Sequence, residues 1–259
     1  MRILISVIFI FYVSLSGAQI RLNKLILAPN EKFVIEKSDI LVVDTLVMRD
    51  SSSIILNLSK KDNFIHAKEV VVGTNCSIIG RGLNGRPGTA GEKGITARAP
   101  CRRGLPGANA ADGALGQNAT NLSFYSNNLT IEGSMIINLS GGDGGDGGKG
   151  GEGGDGGSGT RFCTAGDGGK GGNGANGAIG GNGGNLNLVC KNCGNLRVLL
   201  GQKLIIKNFG GAGGVGGHGG VGGQPGLGPE GDGKAGLRGF SGANAQQGKV
   251  GAVNLSRTY

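Results

Sequence analysis

From Gly141 to Gly157 the chain reads GGDGGDGGKGGEGGDGG, two glycines in every three residues, held to a strict period of three. Glycine loses more backbone freedom on folding than any other residue, and a glycine-rich stretch is ordinarily a flexible linker. A linker needs no period. Strands repeat every second residue and α-helices every 3.6. A period of three in an extended chain belongs to the polyproline II helix, which makes no internal hydrogen bonds; without proline it is the polyglycine II form. Its N–H and C=O groups must find partners outside the segment. A column made only of glycine lets a neighbouring helix come close enough for N–H···O=C bonds and Cα–H···O contacts.

Three blocks share this phase. In the first, glycine recurs from Gly82 to Gly94, breaks at ITARAPCRR from Ile95, and resumes from Gly104 to Gly116 with Ala110 standing in once. The second runs from Gly141 to Gly159, breaks at TRFCTA, and returns from Gly168 to Gly183. The third runs from Gly211 to Gly226, is disturbed at LGPEGD, and returns from Gly233 to Gly242. Each block therefore reads as a hairpin of two arms with a non-periodic tip, and six arms would make one bundle. An arm of roughly 16 residues is about 50 Å long. Asp143, Asp146, Lys149, Glu152 and Asp155 form one column, expected to face water. Ala212, Val215, His218 and Val221 form a less polar one, expected to pack against the bundle or its rim. Collagen is the rival structure, but it needs three chains, unbroken triplets and much proline. This chain has six prolines among 58 glycines, and only GRPGTAGEKG from Gly85 looks collagen-like.

Between the blocks the texture changes. EVVVGTNCSIIGRG from Glu69, NLTIEGSMIINLSGG from Asn128 and NLRVLLGQKLIIKNFGG from Asn195 each read as two β-like runs joined at Gly73, Gly133 or Gly201. Each leads into a glycine block, and the blocks end alike at NATNLSF, GGNLNLV and VGAVNLS. Lys24 to Leu58 adds more strand texture. The expected fold class is all-β/irregular: a short β-solenoid base with three inserted glycine-rich hairpins forming a polyglycine II helix bundle. The expected division is a signal peptide (1–18), an N-terminal β-solenoid-like region (19–79), and β-rungs carrying the hairpins (80–259), with arms at about 80–117, 141–184 and 210–248.

Arg2, the apolar run from Ile3 to Leu15 and the small residues Ser16, Gly17 and Ala18 read as a secretory signal cleaved before Gln19. A short membrane anchor is the alternative. No second apolar run of about 20 residues follows, so the expected location is secreted or at the cell surface. The formal charge is +9, of which Arg2 contributes one. An exported basic protein suits an anionic glycan or cell-surface receptor, although basicity also serves plain solubility; nucleic acid is not the expected partner.

An exported chain forms disulfides. Cys101 and Cys163 sit in two neighbouring tips, where a disulfide would clamp the distal end. Cys190 and Cys193 form a CxxC, read as a local structural disulfide because no thioredoxin-like pattern surrounds it and zinc would need a second pair. Cys76 lies in a β-run and reads as buried. The first two tips also gather Arg98, Arg102, Arg103 and Arg161 beside Phe162, and these five residues are the candidate ligand-binding set. Arginine pairs bidentately with phosphate or carboxylate; a solvated cap without ligand is the alternative. There are two histidines, no HExxH, no P-loop and only a partial calcium nonapeptide, with Asn176 and Ala178 at two of its key positions. The sequence points to no catalytic residue, metal, cofactor or small-molecule substrate. Asn121 and Asn128 head N-x-[ST] triplets, which matter as glycan acceptors only in a glycosylating host.

The antiparallel, period-three, cysteine-tipped arms resemble the snow flea antifreeze protein and the glycine-rich domain of phage tail-fibre tip adhesins. On a β-base behind a signal peptide, the whole is similar to exported bacterial proteins labelled collagen-like. The resemblance covers residues 80–248 and lies in pattern. It implies a polyglycine II bundle, and its relatives differ in function, one binding ice and another a bacterial surface receptor. Two functions are therefore expected: a non-enzymatic exported structural or adhesive protein presenting loop tips on a rigid stalk, or, as the alternative, an ice-binding protein. A freezing-point assay separates them. An enzyme using the CxxC is the third reading, tested by thiol exchange.

Overall fold

The computed structural model describes residues 19–194 and 196–257; the expected signal peptide lies outside the described residues. The first part of the chain forms β1 (Ile20–Leu27), β2 (Lys32–Val34), β3 (Ile40–Met48), β4 (Ser53–Ile55), β5 (Asp62–Val72) and β6 (Cys76–Ile79). After the first glycine block come β7 (Asn121–Ile131) and β8 (Met135–Asn138), after the second β9 (Leu186–Asn192) and β10 (Leu204–Lys207), and after the third β11 (Val253–Arg257). Odd-numbered strands make one six-stranded parallel sheet in the order β1-β3-β5-β7-β9-β11. Even-numbered strands make a second, five-stranded parallel sheet in the order β10-β8-β6-β4-β2. The protein is nearly all β.

The core lies between the sheets. Leu41, Ile65, Phe124 and Leu188 stand in register across the first sheet, and Ile54, Ile78 and Ile137 across the second. All seven are fully buried, and each contributes about 1.5–3 kcal/mol. Repeated corners keep the register. Asn30, Ser51 and Asn75 have φ of 63°, 60° and 54°, a left-handed turn that Asn tolerates better than most residues. At Gly73 a Cβ would run into the Asp50 carboxylate, which accepts the Thr74 N–H at 2.7 Å.

One sequence expectation fails locally. The apolar run NLRVLL predicts a strand, but α1 (Leu196–Leu199) is a single helical turn. The Cys190–Cys193 disulfide ends β9, leucine and arginine are good helix formers, and Gly201, with φ 81°, turns the chain back into β10.

All three glycine blocks leave the same corner, after β6, β8 and β10, and return into β7, β9 and β11. They are described here as arm 1 (82–97), arm 2 (104–119), arm 3 (141–159), arm 4 (166–184), arm 5 (210–227) and arm 6 (233–251). The ladders of the sheets run on into the arms without a break. Gly80 donates to Asn138, then Gly82 to Ser140, Gly85 to Asp143 and Gly88 to Asp146, all at 2.7–3.0 Å. In the same way Gly183 donates to Lys249 and Leu186 to Ala252, both at 2.8 Å. Outgoing arms 1, 3 and 5 thus extend the second sheet as one row, and returning arms 2, 4 and 6 extend the first. Each arm inherits from the strands a separation of about 4.8 Å from the next in its row.

Between the rows the spacing collapses. The two sheets are held apart by side chains, but the two rows bond backbone to backbone. One line of N–H···O bonds crosses all six arms: Gln117 donates to Leu83, Gly142 to Gln117, Gly181 to Gly142, Gly211 to Gly181 and Gly248 to Gly211, at 2.8–2.9 Å. A Cβ at Gly142 would stand closer than 3.0 Å to the Leu83 carbonyl, a separation real Cβ atoms essentially never show. That is the physical reason for the glycine phase.

The third column of each arm carries side chains, and these are not idle. Asp146 Oδ1 accepts the Val215 N–H at 2.8 Å, and Asp155 Oδ1 that of Gln224 at 2.8 Å. On the returning row Asn173, Asn176 and Asn182 serve Phe240, Ala243 and Lys249 at 2.8–3.0 Å. The acidic column therefore also ties arm 3 to arm 5. Val215 and Val221, expected to pack against the bundle or its rim, are instead more than half exposed at 58% and 54%, because glycine fills the inward positions on either side of them in arm 5. Asp146→Ala is expected to cost about 1 kcal/mol, read as a lower urea midpoint, whereas Lys149→Ala, whose side chain caps no amide, leaves the midpoint unchanged.

Candidate functional site

The distal ends of the arms bring the sequence-derived candidates together on two adjoining tips. Tip 2 is a tight turn. Thr160 N–H donates to the Cys163 carbonyl at 3.0 Å, and the Thr160 hydroxyl accepts the Phe162 N–H at 3.2 Å. Arg161 and Phe162 occupy its apex, and Phe162 is 96% exposed. Tip 1 is fastened to it. Cys101 N–H donates to the Ser158 carbonyl at 2.9 Å, and Cys101 is bonded to Cys163 with a Cα–Cα distance of 6.1 Å. Cys101 adopts φ 61°, a left-handed conformation that turns the chain back toward arm 2.

Arg98, Arg102, Arg103 and Arg161 are all exposed. None belongs to an ion pair among the described residues. These four arginines and Phe162 are thus presented to solvent on the same two adjoining tips. Aromatic and arginine side chains are the types that dominate binding hot spots.

Tip 3, which the sequence reading left without a role, has the opposite charge. Pro229 and Glu230 sit in a turn closed by Gly231 N–H to the Gly228 carbonyl at 3.2 Å, and Asp232 Oδ1 accepts the Gly228 N–H at 3.0 Å. Gly231 has φ 122°, where a side chain would be strained. This tip rests on tip 2 through Gly159 N–H to Leu227 and Ala165 N–H to Gly231, at 2.9 and 3.0 Å. The distal surface is therefore basic and aromatic over two tips and acidic over the third. The sequence signal was the pair Glu230 and Asp232 inside the broken phase.

Elsewhere, the Cys190–Cys193 bond lies at the end of the sheets beside Leu196 and Leu255. Both of its cysteines are buried. Cys76 is unpaired and buried against the carbonyls of Met48 and Arg49. No group of three or more His, Cys, Asp or Glu side chains that could hold a metal ion occurs among the described residues. No helix among them is long and apolar enough to cross a membrane.

No protein-family model matches the chain, and no curated protein matches it. Among solved structures, the springtail antifreeze protein of Granisotoma rainieri, a nine polyproline type II helical bundle whose crystal waters match the ice lattice, is 23% identical. That match covers 64% of this chain and 92% of the springtail chain with a TM-score of 0.12. At that score the likeness carries no argument about fold or function.

Proposed function

We propose that this is a non-enzymatic, exported structural or adhesive protein. In this reading the two parallel sheets are a short β-solenoid base, the six arms are a polyglycine II bundle, and the bundle is a rigid stalk about 50 Å long. Its tips bind an anionic surface partner, a glycan or a receptor carrying carboxylate or sulfate groups. The observation that carries the proposal is Phe162, 96% exposed at the apex of a disulfide-fastened turn among four unpaired arginines. A fully exposed aromatic ring gains nothing for folding, yet considerable covalent and hydrogen-bonded structure holds it in place. Rigid presentation lowers the entropy cost of binding. The two disulfides suit an oxidising compartment.

Ice binding is the weaker reading. An ice-binding face wants flat, uniform, uncharged columns. The outgoing face here carries Asp143, Asp146, Lys149, Glu152 and Asp155, and the returning face carries Lys170, Lys234, Phe240 and Lys249.

The test is retention on immobilised heparin and on polygalacturonate, a sulfated and a carboxylated glycan. Arg161→Ala/Phe162→Ala is expected to weaken binding to at least one of them by about tenfold or more, equivalent to about 1.4 kcal/mol, with an unchanged circular dichroism spectrum. Lys32→Ala, on the base, should leave retention as it was. Binding unaffected by the tip substitutions, or growth inhibition of ice crystals in the unmodified protein, would overturn the proposal.

A further inference from the structure

The outgoing and returning rows of arms each present a face of side-chain columns. On the outgoing face three columns lie side by side: Asn84 Oδ1 accepts the Asp143 N–H at 3.0 Å, and Asp143 Oδ1 accepts the Ala212 N–H at 2.9 Å. On the returning face Asn109 Oδ1 accepts the Asn173 N–H at 2.8 Å, and Asn173 Oδ1 accepts the Phe240 N–H at 3.0 Å. Each face is therefore a plate of three adjoining columns that repeat every three residues.

Their charges differ in sign. The outgoing face sets Asp143, Asp146, Glu152 and Asp155 against Arg81, Lys93 and Lys149; the returning face sets Lys170, Lys234 and Lys249 against Asp112 and Asp167. Both carry exposed apolar side chains: Val215, Val221 and Leu227 at 54–68% on one, Ile179, Leu237 and Phe240 at 52–74% on the other. On each face these apolar side chains are interleaved with polar and charged ones.

We infer that copies of this protein stack face on face, the outgoing row of one copy lying on the returning row of the next. Because each arm bonds two arms of the other row, a translation across the plate with a sideways shift of half a column sets arm 3 over arm 4 and arm 5 over arm 6. The bonds Gly172 to Gly151 and Gly169 to Gly154 bracket Glu152 and Lys170 at one height. Those from Gly239 to Gly220 and Gly236 to Gly223 bracket Val221 and Leu237 at another. That translation lays Glu152, which pairs with Lys93 of its own copy at 3.2 Å, on Lys170, which stands over the Phe240 ring of its own copy, and it lays Val221 on Leu237. The like-charge approach is Asp155 on Asp167, which has Lys234 in the adjoining column.

Two outgoing faces placed together around a two-fold axis would oppose their central acidic columns, so the translated arrangement is the favoured one. A plate about 50 Å long and three columns wide at about 4.8 Å offers roughly 700 Å² per copy, near the 800 Å² per partner of a standard interface. The contact is heterologous, so it does not close and builds open stacks. Such stacks would set many tips in parallel, but the inference rests on the faces and not on what the tips bind.

Sedimentation velocity over a concentration series, at low and at high salt, tests it. The unmodified protein is expected to form a ladder of multiples of the single chain that shortens as salt rises. Glu152→Lys alone, or Lys170→Glu alone, should weaken association by about tenfold or more. An equal mixture of the two variants restores it, because each reversed charge then meets its opposite. A single-chain mass at every concentration would overturn the inference. Association that neither variant affects would also overturn it, since another surface would then be responsible.

Discussion

Gly151→Ala is expected to destabilise the protein by about 3–5 kcal/mol, roughly 10 °C in Tm, while Lys149→Ala, two residues away, changes it little. Gly151 lies in arm 3, which has arms on four sides. Its N–H donates to the Ala108 carbonyl at 2.9 Å and its carbonyl accepts the Gly172 N–H at 2.8 Å. A methyl group there would press on the Glu92 carbonyl at less than 3.0 Å. The obstacle is backbone already committed to a ladder, so no rotamer change relieves it. Ala is ordinarily the safer residue, since it reduces unfolded-state entropy. The expected sign is thus opposite to that of a glycine linker, where Gly→Ala is neutral or stabilising. Thermal unfolding of the two variants, followed by circular dichroism, decides between them.

Cys101→Ser/Cys163→Ser is expected to cost about 4 kcal/mol, the entropy of a closed loop whose ends are 62 residues apart. The loss should appear as a lower urea midpoint with little change in slope. Cys190→Ser/Cys193→Ser, with a separation of three, should cost under about 2 kcal/mol on the same reasoning. The functional consequence differs too. Only the first pair fastens tip 1 to tip 2, so under the proposed function its loss should weaken retention on heparin or polygalacturonate even where the base stays folded. Equal effects of the two pairs on stability would show that the distal clamp does not act through loop closure.

The phase of glycine was legible because it reports a contact distance. An arm with neighbours on four sides carries side chains on one column only, as Gly141–Gly159 does, whereas arm 1, with neighbours on two sides, carries them on two. The alternation of β-runs with glycine blocks likewise pointed to one corner of departure. What was not legible depends on axial height. Asp146 lies 69 residues from Val215, and only the common base sets the two side by side, so the second task of the acidic column could not be read from the chain. The exposure of Val215 and Val221 was missed for a related reason: apolar residues normally mark an interior, but here glycine is the interior. The single turn of α1 was hidden because Leu196 to Leu199 has the composition of a buried strand. At the tips the residue types were visible in sequence. The opposed charge of Glu230 and Asp232 against the arginine tips appears only once arms 3 and 5 are laid together.

Residue-resolved amide hydrogen exchange along arm 3 tests the account most directly. Gly144, Gly145, Gly147, Gly148, Gly150, Gly151, Gly153 and Gly154 each donate an inter-arm bond, and Asp146, Lys149 and Glu152 donate none. The expected result is two slow amides followed by one fast, repeated along the arm. Uniformly fast exchange from Gly144 to Gly154 would contradict it, for the glycine blocks would then be linkers and the tips would have no stalk.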